Sequence, residues 1–330
     1  MNGVTIKQVD CRNLKDLCDW NNFVDNNNGS CFNYIQWQRI LIESYNAKPV
    51  NLMVKEKDHV IGIVSGYFTE RNKFFFIKKG ISGSGKQFDN YLSNSLINDL
   101  GYEEQYSISF SKKTSVILDV INGEEKVWSE LRRETRKDIR KGIKNNLSVG
   151  KGWHFLDQFY KVYVENMMHN NALIHSKKYF IELSKNLGEK ASLFVVLDGS
   201  EVISGMIVLY SKSVAEFYIG AWNRKFSKKS PYTFMYWHAI TDAINKGIEK
   251  IDMGESRLGS GTYKYKVNFG GSPVVNESAC IEEKNRELQT NNRFVKLFII
   301  NGIKLILSLK FFSKFKYFYL IRSRKNNKIV

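Results

Sequence analysis

One feature limits the fold more than any other: a pattern of segments that occurs twice. Residues 51–56 (NLMVKE), 60–68 (VIGIVSGYF) and 73–79 (KFFFIKK) read as three β-strands joined by tight polar turns. A loop, a helix near 88–100 and a strand near 105–110 complete this first unit. About 142 residues further on the order returns, with strands at 192–198, 202–210 and 214–222. A loop, a helix from Pro231 to about Lys246 and a strand at 248–254 follow. Ser230 is placed to cap that helix, Pro231 suits its first turn and Gly247 its end. Two such units imply a duplicated α/β (α+β) fold with mostly antiparallel sheets. A meander running into a helix excludes a Rossmann-type βαβ unit.

The chain has 330 residues, enough for two ordinary domains. The expected division is 1–122, 123–284 and a tail from 285 to 330. Between the repeats, one helix is expected from about Glu124 to Asn146, with Leu131, Ile139, Ile143 and Leu147 on one stripe. Arg132, Arg133, Arg136, Lys137, Arg140, Lys141 and Lys144 crowd its other faces. The tail is also basic: no acid follows Glu287, and lysines interrupt its apolar stretch at 296, 304 and 310. That pattern fits an amphipathic segment lying on an anionic membrane rather than crossing it, or a packed helix.

The formal net charge of +17 points to negatively charged partners. With 43% hydrophobic residues the chain can build real cores, which excludes wholesale disorder. Four cysteines (Cys11, Cys18, Cys31, Cys280) make no disulfide framework, and the five histidines show no metal-ligand spacing. No secretion signal precedes Asp10, so the expected location is the cytoplasm. No metal site is expected.

Gly80–Lys86 (GISGSGK) has the spacing of a phosphate-binding loop, but Gln87 stands where a magnesium-holding Ser or Thr belongs. An NTPase is therefore not expected; a simple anion cradle at Gly83, Gly85 and Lys86 or a plain surface loop is. No GxSxG or comparable nucleophile motif occurs. The densest polar region is Asp252–Pro273, where an extended Tyr263-Lys264-Tyr265-Lys266 would put both lysines on one face. A lysine held at a cleft there could stabilise an oxyanion or a phosphate; a solvated hairpin is the alternative.

Four stretches resemble the FemAB-type aminoacyl and acyl transferases. They are Trp20…Phe23-Val24…Ser30…Phe32…Gln36-Trp37, the basic run Leu131–Lys144, Ile174–Phe180, and Asp252-Met253-Gly254-Glu255-Ser256…Gly259…Gly261-Thr262-Tyr263…Tyr265-Lys266…Phe269-Gly270. The last is similar to the family's "DFGrS…GtG.y.FK..fG" signature. The resemblance spans about 20 to 280 and implies two tandem GNAT-like acyltransferase domains, in agreement with the repeat. Glu255 departs from the family, where many relatives carry Arg, and the long helical arm of the larger members has no room here. In GNAT-type acetyltransferases the strand–loop–helix junction cradles the coenzyme A pyrophosphate with R/Q-x-x-G-x-G/A. Asn223–Ser230 (NRKFSKKS) does not match that pattern.

The resemblance implies transfer of an aminoacyl or acyl group to an amine on a cell-wall precursor or lipid-linked envelope glycan. Lys266 matches the family's FK lysine and, with Asp252, is the expected catalytic pair. Trp37, Arg136, Arg140, Tyr218, Glu255, Tyr263 and Tyr265 are expected to bind substrate. The donor would be aminoacyl-tRNA or acyl-CoA, with no resident cofactor. The tail would hold the enzyme peripherally on the inner membrane face. The alternatives are an acyl-CoA-dependent N-acetyltransferase acting on an amino sugar or small amine, and a non-catalytic membrane- or RNA-binding adaptor.

Overall fold

A computed structural model describes residues 4–10, 13–27, 29–68, 74–83 and 106–283. The helix expected at 88–100 and the tail from 285 onward lie outside the described residues. Among the described residues, eleven strands join in one sheet of order β1-β2-β3-β4-β11-β5-β10-β9-β8-β7-β6. The first meander is β2 (Lys48–Glu56), β3 (His59–Phe68) and β4 (Phe74–Gly83), with β1 (Val4–Gln8) added at its edge. The second is β7 (Ala191–Asp198), β8 (Glu201–Tyr210) and β9 (Val214–Trp222), edged by β6 (Ser148–Lys151). Both expected meanders are antiparallel, as alternating apolar strands joined by short polar turns dictate.

The two meanders are sewn together by β5 (Tyr106–Asp119), β10 (Lys250–Ser256) and β11 (Ser272–Glu283). β5 runs well past the expected 105–110 because it pairs with β11 along one edge and β10 along the other. β11 returns from the end of the second unit to the strands of the first, a long-range pairing that no local pattern announces. In the same region the expected loop Gly80–Lys86 is partly strand: β4 continues to Gly83, whose register partner is Gly62. Gly85 and Lys86 lie outside the described residues.

Each face of the sheet carries its own core. On one face α1 (Leu14–Asn26), α2 (Gln36–Tyr45), α5 (Leu156–His169) and α6 (Lys177–Leu187) bury Trp20, Phe32, Trp37, Phe159 and Phe180. On the other, α3 (Gly123–Glu130), α4 (Arg133–Lys144) and α7 (Pro231–Asn245) bury Val127, Ile139, Phe234, Met235 and Ile240 against Val116 and Leu118. Burying each such side chain contributes about 1.5–3 kcal/mol. α7 begins with Pro231 and Gly247 follows its end at φ +74, as expected. Ser230 departs from its expected role, because its backbone is left-handed and its hydroxyl donates to Asp138 on α4 instead of capping α7.

The single helix expected over 124–146 is two helices. The chain is extended at Leu131 and Arg132, where the Arg132 amide donates to the Asn268 carbonyl (3.0 Å) and breaks the helical ladder. Leu131, Ile139 and Leu147 are buried, but Ile143 is 62% exposed, because the buried stripe of α4 runs through Thr135, Ile139 and Gly142 and leaves Ile143 at its edge. α4 then packs on α7 through Gly142, where a Cβ would lie 2.5 Å from the Phe234 ring. Among the described residues no helix is long and apolar enough to cross a membrane.

Candidate active site

Among the described residues β9 and β10 are the parallel neighbours in the sheet, and they pair over three residues only: Val214 with Lys250, Ala215 with Ile251 and Glu216 with Asp252. Beyond that rung β9 stays with β8 and runs to Trp222, while β10 stays with β5 and runs to Ser256. The sheet therefore opens into a fork. Gly254 stands at its mouth with φ +84, a left-handed geometry that glycine adopts at little cost and that creates the bulge between Asp252 and Glu255.

Lys266 occupies this fork. Its ammonium donates to the Gly254 carbonyl (2.8 Å) and the Glu255 carbonyl (3.2 Å), and the side chain is 5% exposed. A Cβ on Gly254 would lie 3.1 Å from the Phe217 carbonyl on β9 and 3.5 Å from the Lys266 Nζ. Asp252 locks the same turn from inside: its Oδ1 accepts from the Gly254 amide (2.8 Å), and Ser115 Oγ donates to its Oδ2 (3.4 Å). Buried charge at a backbone turn of this kind costs free energy unless it is hydrogen-bonded, which these contacts achieve.

The segment bearing Lys266 differs from its expected form. Gly261–Val267 is a helix, α8, capped by Ser260, whose side chain accepts from the Tyr263 amide. Helical geometry separates the two lysines that an extended segment would have aligned: Lys264 is exposed and Lys266 buried. Tyr265 turns into the second core, where its ring meets Tyr232, Tyr236 and Phe269 and its hydroxyl donates to Thr233 Oγ1 (3.2 Å). Burial holds the Tyr265 and Tyr236 phenols well above their ordinary pKa, so both remain neutral. Tyr263 packs at the margin of the same core. Glu255 contributes its backbone carbonyl to Lys266 and keeps a partly exposed side chain.

On the opposite face, the sequence-expected Trp37 and Tyr218 do meet, with ring centroids 5.6 Å apart and Phe32 edge-on to both. The Tyr218 hydroxyl pairs with that of Tyr179 (2.5 Å). Next to them His175 Nδ1 bonds the Tyr45 hydroxyl (2.5 Å), while its ring stacks on Tyr179. This aromatic wall joins the N-terminal segment to α6 and β9.

Glu216 was not foreseen. It is 2% exposed, and its carboxylate accepts from Ser30 Oγ (2.8 and 2.9 Å) and the Cys31 amide (3.0 Å). A lone acid inside the apolar strand VAEFYIGAW is the signal that could have found it. Burial first, and then the Glu216 carboxylate, raise the Cys31 thiol far above its usual range, so it stays protonated.

The two arginines expected to bind substrate sit away from the fork. Arg136 donates through Nη1 to the carbonyls of Trp128, Ser129 and Leu131 (3.2, 3.1 and 2.6 Å), closing the end of α3. Arg140 is exposed and lies over the Trp128 ring, 5.6 Å from its centroid. An open groove of about 630 Å³, lined in part by Asp119, Glu130 and Lys250, contains none of the expected site residues. No group of three or more acidic, His or Cys side chains able to hold a metal is found among the described residues.

Comparison with known proteins gives a consistent picture. Residues 131–267 match a family model described as an acetyltransferase (GNAT) domain. No curated protein matches the chain. Among solved structures the chain is similar to FemX, at 13% identity and TM-score 0.67, over 88% of this chain and 100% of that one. It is similar to a conserved protein of unknown function from Bacteroides thetaiotaomicron VPI-5482, at 12% identity and TM-score 0.57, over 84% and 100% of the two chains. A tandem GNAT protein from the clavulanic acid biosynthesis pathway aligns at 6% identity and TM-score 0.56, over 86% and 99%. At these identities the likeness establishes a tandem GNAT-type fold.

Proposed function

We propose, for a chain that is a FemAB-like GNAT acyltransferase, that it moves an aminoacyl group from charged tRNA onto an amine of a lipid-linked cell-wall or envelope-glycan precursor. The observation that carries this reading is the buried Lys266 ammonium in the β9–β10 fork. The acceptor amine, in its neutral form, attacks the donor carbonyl directly. A C–N bond forms, the ester C–O bond breaks, and the leaving hydroxyl takes up the proton that the amine gives up. Negative charge develops on the carbonyl oxygen, and a fixed cation in a water-poor site stabilises it. No enzyme nucleophile is required, so positioning supplies much of the rate.

Within this reading Lys266 is the catalytic group, and Asp252 is a positioning residue that shapes the Gly254 turn. Glu255 borders the fork through its carbonyl, while Trp37 and Tyr218 on one face of the sheet and Tyr263 and Tyr265 on the other are packing residues that support its two sides. Functional units 1–122 and 123–284 suit this arrangement, with the tail from 285 to 330 keeping the enzyme peripheral on the inner membrane face. Asn223–Ser230 carries no glycine pattern of the pyrophosphate-cradling kind and forms a 3-10 helix at Arg224–Lys229, so the donor contacts are to be sought elsewhere.

The acetyltransferase family match favours a second reading, in which acyl-CoA is the donor and the broken bond is a C–S bond. Incubating the protein with an amine acceptor and either aminoacyl-tRNA or acetyl-CoA, followed by mass spectrometry of the acceptor, separates the two. In the productive mixture Lys266→Ala, and Lys266→Met as a control for packing, lose turnover by at least about a hundredfold. Retained turnover in folded variants would remove Lys266 from the mechanism.

A further inference from the structure

Helix α4 carries a surface that the acyl-transfer chemistry does not use. Its buried stripe of Thr135, Ile139 and Gly142 faces α7. On the opposite side, at helical spacing, Arg133, Lys137, Arg140, Lys141 and Lys144 are all exposed. Nearby Asp138 is taken by Ser230, and Glu134 is the one other acid on the helix. The adjoining 3-10 helix adds exposed Lys225 and Lys228 to the same basic region. Ile143, 62% exposed, flanks this face.

The helix is also fixed with respect to the fork. Thr135 Oγ1 and the Arg132 amide both donate to the Asn268 carbonyl (3.2 and 3.0 Å), directly after α8, which carries Lys266. Through Asp138 and Ser230 it is joined to the start of α7. A partner resting on α4 is therefore held one helix away from the reacting centre.

We propose that this α4 face docks the enzyme on an anionic phospholipid bilayer, independently of the C-terminal tail. Cations clustered on one straight helical face are attracted to a negatively charged membrane surface within a Debye length. The exposed Ile143 suits the headgroup boundary. A nucleic-acid reading is less well served, because α4 itself holds no aromatic side chain and the neighbouring Trp128 and Phe226 are packed on the second core, Trp128 with Arg140 over its ring. The inference rests on the reading of a lipid-linked acceptor, whose reactive end docking at α4 would bring to the fork.

The test is cosedimentation of the full chain with phosphatidylcholine vesicles, with and without phosphatidylglycerol. Wild type binds the anionic vesicles, and binding weakens as salt rises. The triple variant Lys137→Gln/Lys141→Gln/Lys144→Gln loses roughly fivefold per lysine, about a hundredfold in all. Ile143→Ser lowers binding several-fold. The matched variant Lys15→Gln/Lys185→Gln/Lys212→Gln removes the same charge from exposed positions elsewhere and changes binding by less than about threefold. Equal losses in both triples, or wild-type binding by the α4 triple, would overturn the proposal. So would loss of tRNA binding in the α4 triple with vesicle binding intact, which would assign the face to RNA. Because vesicle binding is read without turnover, these outcomes stand apart from a failure of the acyl-transfer assay.

Discussion

Asp252 and Glu216 form the last register pair between β9 and β10, and past that rung the strands separate. The pair has a division of labour. Glu216 reaches back to Ser30 and Cys31 and ties the N-terminal segment to β9, while Asp252 holds the Gly254 turn on which Lys266 rests. A change at either residue is thus expected to reach the fork by a different route.

Gly254→Ala is expected to lower stability by about 1–2 kcal/mol, because alanine is strained at positive φ. It is also expected to reduce turnover tenfold or more, since the new Cβ crowds the Phe217 carbonyl beside the Lys266 ammonium, and relieving that approach shifts the turn on which the ammonium rests. Gly259→Ala serves as control: its φ is +75, but nothing lies within 4 Å of the added Cβ. Thermal unfolding and turnover of both variants decide the matter, and equal activity losses would dissociate Gly254 from the site.

Glu216→Ala should cost about 2–4 kcal/mol, as it leaves the Ser30 hydroxyl and the Cys31 amide buried without this acceptor. Glu216→Gln retains an acceptor for the Cys31 amide and should cost about 1 kcal/mol or less. In urea unfolding, Ser30→Ala combined with Glu216→Ala should be less than additive, the signature of a shared interaction.

Arg136→Ala is expected to destabilise the protein by about 1–2 kcal/mol through loss of three bonds to carbonyls at the end of α3. Donor affinity should change by less than about twofold. Isothermal titration on the variant tests this; weakened donor binding with unchanged stability would return Arg136 to a ligand-contact role.

Burial lowers the pKa of His238, which packs edge-on against Phe234. The unfolded chain, with a His near its ordinary 6.5, therefore binds a proton more readily than the native state does. His238 lowers stability as pH falls from about 6.5 toward its lower native value and has no such effect well above pH 6.5. The difference in unfolding midpoint between wild type and His238→Gln should accordingly shift toward the variant between neutral pH and pH about 5.

The two meanders and the α7 helix were legible in the residue pattern. Strand alternation, Pro231 and Gly247 are local signals, and local physics acts on them alone. The conformation of Tyr263–Lys266 was not legible, since Ser260 caps a helix there only after Gly259 turns the chain at φ +75. Nor was the role of Arg136, which looks like a ligand for anions until Leu131 and Arg132 break the helix and offer it three carbonyls.

The order of apolar, polar and turn residues by itself determined a doubled, largely antiparallel α/β chain with a basic helix between its halves. Folding in three dimensions decided that β11 returns to β5, that β9 and β10 part after Glu216 and Asp252, and that Lys266 fills the gap. Those outcomes depend on contacts between residues far apart in the chain, whose free energy is settled by packing and burial rather than by any segment's own preference.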